Sequence, residues 1–275
     1  MTNPKAQHYV LLNGALCLAD AARVSPLSDA FMYGAGLFET IKVKQGKLAF
    51  FHEHARRLFH GAAELGLSGL TDAGELAARC ARLVASNGLG EGSLKIVIFQ
   101  DAGGIGELIL TSDRVYKPAQ YDCGFKLRTV PDARHPRSLS GLKTLNYLKN
   151  LGAKRAASQD GFDEALFVGA DGTVWEGATS NVFMVKAGVV STPAADACIL
   201  PGIGREKVLG LLKDQSACEA SLSVSQLMAA DEVFVTNALL GVMPVKCIDQ
   251  REYDTARNPI TRAIMTAYAE LGSTS

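Results

Sequence analysis

The chain has 275 residues, 48% hydrophobic and 20% charged, with 28 Lys+Arg against 28 Asp+Glu. That composition can bury the core of one large domain or two ordinary ones and is not that of a disordered chain. The balanced charge leaves no basic footprint for nucleic acid or an anionic membrane surface, no apolar run approaches the roughly 18–20 residues that span a bilayer, and the N-terminus has no signal-peptide core, so a cytoplasmic protein is expected.

Residues 9–24 alternate loosely around Asn13-Gly14, which predicts a β-hairpin. After a polar break at Pro26–Asp29, the run from Phe31 to Val43 passes through Gly34 and Gly36 into a strand. Gln45-Gly46 turns it back into Lys47–Phe51. The spacing of Ala55, Leu58, Phe59, Ala62, Ala63 and Leu65 predicts a helix over 52–65, and a second is predicted from a Thr71 cap to about Ser86. Strands at Leu94–Phe99 and Glu107–Thr111 flank the turn 101–104, and residues 116–121 read as a linker. A smaller N-terminal domain over 1–117 and a larger C-terminal one over 118–275, both α+β, are therefore expected.

The second half reopens with a strand over 125–130, then a loop carrying Arg134 and Arg137. A helix is predicted over about 145–160, followed by hairpins turning at Asp171-Gly172 and Ala187-Gly188. A helix begins after Pro201-Gly202 and runs to about Lys213. Strands at 233–236 and 242–248 and a terminal helix over 260–271 complete the pattern. There is no Rossmann fingerprint and no internal repeat.

The six cysteines are scattered without a C-x-x-C pair, and the five histidines have no metal-ligand spacing, so neither a disulfide framework nor a metal site is expected. Chemistry gathers instead around Lys143, flanked by Leu142, Leu145 and Tyr147. By itself it reads as a surface lysine on an amphipathic helix; desolvated, its neutral amine attacks carbonyls. Glu176 ends an apolar strand and is either a solvated carboxylate or the partner of a protonated ring nitrogen. The small, polar run Gly177–Asn181 behind it suits packing against a flat ligand. Gly202-Ile203-Gly204 opens a helix, which is either plain structure or an anion site built from free N–H groups. Thr236-Asn237-Ala238-Leu239 can add further donors, and Arg57 can add a positive charge.

A reactive lysine, a carboxylate and an anion cradle are what a pyridoxal phosphate enzyme needs. The ordered motifs Phe38-Glu39-Thr40, His54-x-x-Arg57-Leu58, Leu142-Lys143-x-Leu145-Asn146, Glu176-Gly177-x-x-Ser180-Asn181, Leu200-Pro201-Gly202-Ile203-x-Arg205 and Pro244-Val245 span nearly the whole chain. In this the sequence resembles the fold type IV (class IV) aminotransferase family, which includes branched-chain and D-amino acid aminotransferases and aminodeoxychorismate lyase. The resemblance implies a two-domain α+β enzyme of fold type IV that binds pyridoxal 5'-phosphate and acts on small amino and oxo substrates. It also implies a homodimer.

Residue by residue, the resemblance makes Lys143 the Schiff-base and proton-shuttling lysine, Glu176 the carboxylate on the pyridine nitrogen and Arg57 a phosphate ligand. Ile203, Gly204 and Ala238 fall at phosphate positions, and Tyr147 at the tyrosine that bonds the cofactor's phenolic oxygen. Thr179, Leu200 and Asn237 complete the cofactor-contacting set. The sequence departs from the family at Gly204 and Ala238, where many members have threonines. It departs again at Gln100–Gly104, which lacks the arginine that grips the substrate carboxylate in D-amino acid aminotransferases and many lyases. Lys42, Arg134 and Arg137 are candidates for that task on charge alone, with Phe38 and Thr40 on the same strand as Lys42. The expected activity is transamination. Aminodeoxychorismate lyase, which releases pyruvate and 4-aminobenzoate, is the alternative, and a non-catalytic cofactor-binding protein is disfavoured by the presence of both Lys143 and Glu176.

Overall fold

The structure, a computed structural model, describes residues 8–133, 139–195, 198–213 and 217–274. The chain divides into two compact units, one comprising residues up to Val115 together with Lys143–Asn146, the other beginning at Tyr116 and resuming at Tyr147.

The first unit contains β1 (Tyr9–Leu12), β2 (Ala15–Leu18), α1 (Asp29–Tyr33), β3 (Gly36–Lys44), β4 (Lys47–Leu48), α2 (Phe51–Glu64), α3 (Ala73–Ser86), β5 (Glu91–Asp101) and β6 (Gly104–Ser112). Its described strands form an antiparallel sheet in the order β2-β1-β6-β5-β3-β4. Alternation on β3 buries Leu37, Glu39, Ile41 and Val43 on one face, against which α2 packs with Ala55, Leu58 and Ala62. Phe38, Thr40 and Lys42 stand on the other face. The short helix α1, capped by Ser28 accepting from the Phe31 N–H, falls at the polar break and in the run expected to lead straight into a strand. The second helix is capped not by Thr71 but by Asp72, whose carboxylate accepts from the Gly74 and Glu75 N–H groups; the Thr71 hydroxyl instead donates to Glu75. An aspartate one residue nearer the helix reaches both orphan donors.

Lys143–Asn146 behave as an additional strand of the first unit. Phe38 N–H donates to Lys143 O at 2.9 Å, Leu145 N–H donates to Gly36 O at 2.9 Å, and Leu37 pairs with Thr144. The lysine, expected in the C-terminal domain, thus packs with the N-terminal unit, and the expected helix begins only at Leu148 because residues 143–145 commit their backbone groups to β3. The close fit depends on Gly36, where an added Cβ would sit 2.5 Å from Ile98 O and 2.8 Å from Leu145 Cδ1.

The second unit contains α4 (Pro118–Cys123), β7 (Phe125–Pro131), α5 (Leu148–Gln159), β8 (Glu164–Val168), β9 (Thr173–Gly177), β10 (Asn181–Lys186), β11 (Val189–Pro193), α6 (Ile203–Leu211), β12 (Ala217–Ala220), β13 (Leu222–Ser223), α7 (Val224–Met228), β14 (Glu232–Asn237), β15 (Gly241–Ile248), β16 (Arg251–Glu252) and α8 (Pro259–Thr274). Its described strands form a mixed sheet in the order β12-β11-β10-β14-β15-β7-β8-β9-β13, with β16 on β15. The core is apolar and aromatic: Phe183 and Phe234, paired across β10 and β14, stack with centroids 4.8 Å apart. The expected linker at 116–121 is instead mostly α4, with Tyr116 and Tyr121 packed on this core and the Tyr121 hydroxyl donating to Leu240 O. Two amphipathic rings there give the segment enough apolar surface to fold onto the sheet.

Gly36→Ala should cost about 1–3 kcal/mol through overpacking at the β3–β5 contact. Urea unfolding checks this, and a midpoint equal to wild type would count against the close approach.

Candidate active site

In the first unit, the strand pairing of residues 143–145 holds the Lys143 side chain over the Phe38 ring, with Nζ 4.6 Å from the centroid. On the opposite face of β3, Glu39 is buried with 1% of its surface exposed. Arg57 Nε and Nη2 donate to its two oxygens, each at 2.7 Å, and His54 Nδ1 lies 2.7 Å from Oε2. An ionised carboxylate only accepts, so His54 Nδ1 must carry the hydrogen. Burial would raise the Glu39 pKa, but the Arg57 charge and the His54 and Arg57 hydrogen bonds outweigh it and take it down to about 2. Burial first, and then the nearby Arg57 and Lys143 charges, hold the His54 pKa below its ordinary value despite its bond to Glu39. Arg57, expected on a phosphate, is therefore oriented by a bidentate bond to a carboxylate that carried no assigned role.

In the second unit, Glu176 is buried near the end of β9; its Oε2 accepts from the Leu200 N–H at 3.1 Å and from Asn181 Nδ2 at 3.4 Å. Asn181 also donates to Leu200 O at 2.9 Å. Its Oδ1 occupies the space that a side chain at Gly202 would need, so only glycine lets the amide clamp this loop to β9. Ile203 and Gly204 form the first turn of α6, whose N-cap Gly202 offers no side-chain acceptor. Gly204 abuts the end of β14, with a Cβ position 3.4 Å from Thr236 Cβ and 3.5 Å from Asn237 O. Arg205 is buried and donates to Pro193 O at 2.8 Å while pairing with Glu219, which fastens α6 to the sheet.

Several expected contacts are committed to this scaffold. The Asn237 carbonyl accepts from the Leu239 and Leu240 N–H groups and its amide donates to Thr179 O, which shapes the turn containing Ala238. The Thr179 hydroxyl bonds Glu164 and accepts from Lys154 Nζ at 2.8 Å, forming a cluster beneath the 177–181 turn. The Tyr147 hydroxyl donates to Ala178 O at 2.9 Å. Arg134 and Arg137 lie outside the described residues.

An anion fits the start of α6. A helix N-terminus offers orphan N–H donors and a partial positive charge. Beside it, the hydroxyl of Thr236 is buried at 1% exposure without a hydrogen-bond partner, one of few such atoms among the described residues. A buried hydroxyl costs free energy unless something satisfies it, and a phosphate oxygen would. Glu39, Asn181 and Thr236 stand within segments singled out from the sequence but had no individual role there. Glu39 did carry a signal, a charge at a buried parity of β3, whereas the other two acquire their meaning only from what packs beside them.

A lysine in the first unit and, in the second, a fixed carboxylate and a candidate anion cradle are the kinds of group that a pyridoxal phosphate enzyme needs. The chain belongs to the class IV amino-transferase family, whose pattern it matches over residues 36–248. It is 31% identical over 271 residues to the D-alanine aminotransferase of Bacillus licheniformis, covering 94% of this chain and 95% of the relative. It is 27% identical to the aminodeoxychorismate lyase of Bacillus subtilis, covering 94% and 93%. Its structure resembles that of the T.th. branched-chain amino acid aminotransferase with pyridoxamine 5'-phosphate, with a TM-score of 0.90, 25% identity and coverage of 98% and 96%. The fold is thus type IV, the cofactor is pyridoxal phosphate, and the reaction is that of an aminotransferase or an aminodeoxychorismate lyase.

Glu39 ionises below its ordinary 4.5, so the unfolded chain binds more protons in acid; stability is full above pH 4.5 and falls toward about pH 2. Glu39→Gln should abolish this slope in urea midpoints measured against pH; identical slopes would count against it. Thr236→Val should leave apoprotein stability unchanged, since no bond is lost, while weakening pyridoxal phosphate binding roughly tenfold in a spectral titration.

Proposed function

We propose that the protein is an aminotransferase that moves an amino group between an amino acid and a 2-oxo acid by ping-pong chemistry. The observation that carries this reading is the Lys143 amine, placed beside Phe38 by backbone pairing on β3. Bound pyridoxal phosphate supplies an aldehyde for the amine and an electron-withdrawing ring for the substrate carbon. Lys143 holds the cofactor and moves the proton on and off that carbon. Glu176 meets the ring nitrogen, its carboxylate plane set by Asn181 and the Leu200 N–H. Ile203, Gly204 and Ala238 hold the phosphate through backbone N–H groups, with Thr236 contributing its hydroxyl and Arg57 its charge. Tyr147, Thr179, Leu200 and Asn237 line and shape the cofactor's surroundings.

The choice of transamination over lysis rests on the β5–β6 turn. Gln100 Nε2 donates to Asp101 O and Gly104 O, each at 3.3 Å, so this turn is satisfied within itself and offers no cation to a second carboxylate. Aminodeoxychorismate lyase stays the second reading because of the relative that bears that name. The protein acts as a cytoplasmic homodimer, a reading supported by the family and by the exposed Leu27, Phe31, Met32 and Tyr33 at α1. Among the described residues, no helix is long and apolar enough to cross a membrane.

Borohydride should trap a cofactor adduct on wild type but not on Lys143→Ala; an adduct on the variant removes Lys143 from its role. Turnover that needs an amino acid and a 2-oxo acid together supports transamination. Pyruvate and 4-aminobenzoate formed from aminodeoxychorismate without an acceptor would make the protein a lyase.

A further inference from the structure

The face of β3 that carries Phe38 also meets a second amine. Lys95 on β5 pairs with Thr40, and Val97 pairs with Phe38, so Lys95 lies diagonal to Phe38 on the same side of the sheet. Its Nζ is 4.6 Å from the centroid of the Phe38 ring, the distance that also separates that centroid from Lys143 Nζ. The two amines share one ring and are therefore no more than twice 4.6 Å apart. Lys143 reaches the ring from the 143–145 segment on one side of β3, and Lys95 from β5 on the other.

Lys95 is also short of a counter-charge. It is half-buried, and no carboxylate pairs with it among the described residues. Burial alone depresses its pKa, whereas on the same face Glu91 opposes the loss at Lys42. A half-buried ammonium with only an aromatic ring beside it is costly unless an anion arrives from outside the protein. Around it stand Thr40, Val97 and Leu110, one hydroxyl and two apolar side chains, a lining suited to a small carboxylate attached to an apolar body.

We propose that Lys95 binds the carboxylate of the substrate that reacts at Lys143, and so selects amino acids and 2-oxo acids over carboxyl-free amines. This rests on the reading of Lys143 as the amine at which cofactor and substrate meet. The carboxylate carbon of an amino acid is bonded directly to the reacting carbon, so an ammonium within the stated reach of Lys143 can hold one while the other works on the adjacent carbon. Lys95 thus takes up the task that no arginine performs at the Gln100–Gly104 turn.

The test compares wild type, Lys95→Met and Lys95→Arg, each loaded with pyridoxal phosphate. Propionate binding is followed by the change in cofactor absorbance, and single-turnover reaction with each enantiomer of alanine is compared with isopropylamine, in which a methyl replaces the carboxylate. Lys95→Met should weaken propionate binding and slow the reactive alanine by about 10- to 100-fold, the range for losing a charged hydrogen bond. Isopropylamine should react as before, and Lys95→Arg should recover part of the loss. Unchanged propionate binding in Lys95→Met would overturn the proposal, as would an equal loss with isopropylamine, which would mark a packing defect. If wild type releases pyruvate and 4-aminobenzoate from aminodeoxychorismate with no amino acceptor while propionate binding still depends on Lys95, the aminotransferase reading fails and the carboxylate site stands.

Discussion

Two backbone hydrogen bonds, from Phe38 N–H to Lys143 O and from Leu145 N–H to Gly36 O, bind a short segment from the middle of the chain to the edge of β3. A lysine on a free loop would sample many positions and lose entropy on ordering each time it reacted. Fixed as a strand, its backbone is already placed, and what is left is a side chain resting on an aromatic ring. Gly36 makes the pairing possible by leaving space for Ile98 O and Leu145. Phe38 in turn is shared with Lys95, so one ring sets the surroundings of both amines.

Elsewhere the protein places polar groups by satisfying them in pairs. Glu39 aligns Arg57 and His54 on the covered face of β3, and the low pKa of Glu39 keeps that cluster charged across the neutral range. Glu164, Lys154 and Thr179 support the 177–181 turn from below, while Asn181 ties Glu176 to the loop that enters α6. Buried groups bonded in this way are costly to move, because breaking one bond strands its partner. Among the described residues Thr236 is one of four exceptions, with Trp175, Arg205 and Thr261. Its unsatisfied hydroxyl sits beside the first turn of α6, where a bound anion would complete it.

Much of this was legible in the chain. Period-2 and period-3.6 patterns located most strands and helices, and turns such as Asn13-Gly14 and Gln45-Gly46 fell where positive φ is needed. The residues with reactive groups, Lys143, Glu176 and the α6 entry, stood out because each is polar or small beside an apolar run. Short elements were harder: α1 and α4 carry few residues over which any period can show. Lys95 was passed over because a lysine alternating with apolar residues on a strand looks like the solvated half of an ordinary pattern.

The sequence by itself determined the family and the cofactor and singled out Lys143 as the proposed amine, since these depend on which chemical groups exist and in what order. The tertiary structure decided which of those groups are already engaged. It showed Arg57 gripping Glu39, Asn237 and Thr179 holding turns, and Lys143–Asn146 joined to the first unit. Hydrogen-bond partners and counter-charges come from residues distant in sequence, so no local pattern can reveal whether a cation is paired. Lys95 acquires its meaning from β3, through a register that only the folded sheet defines.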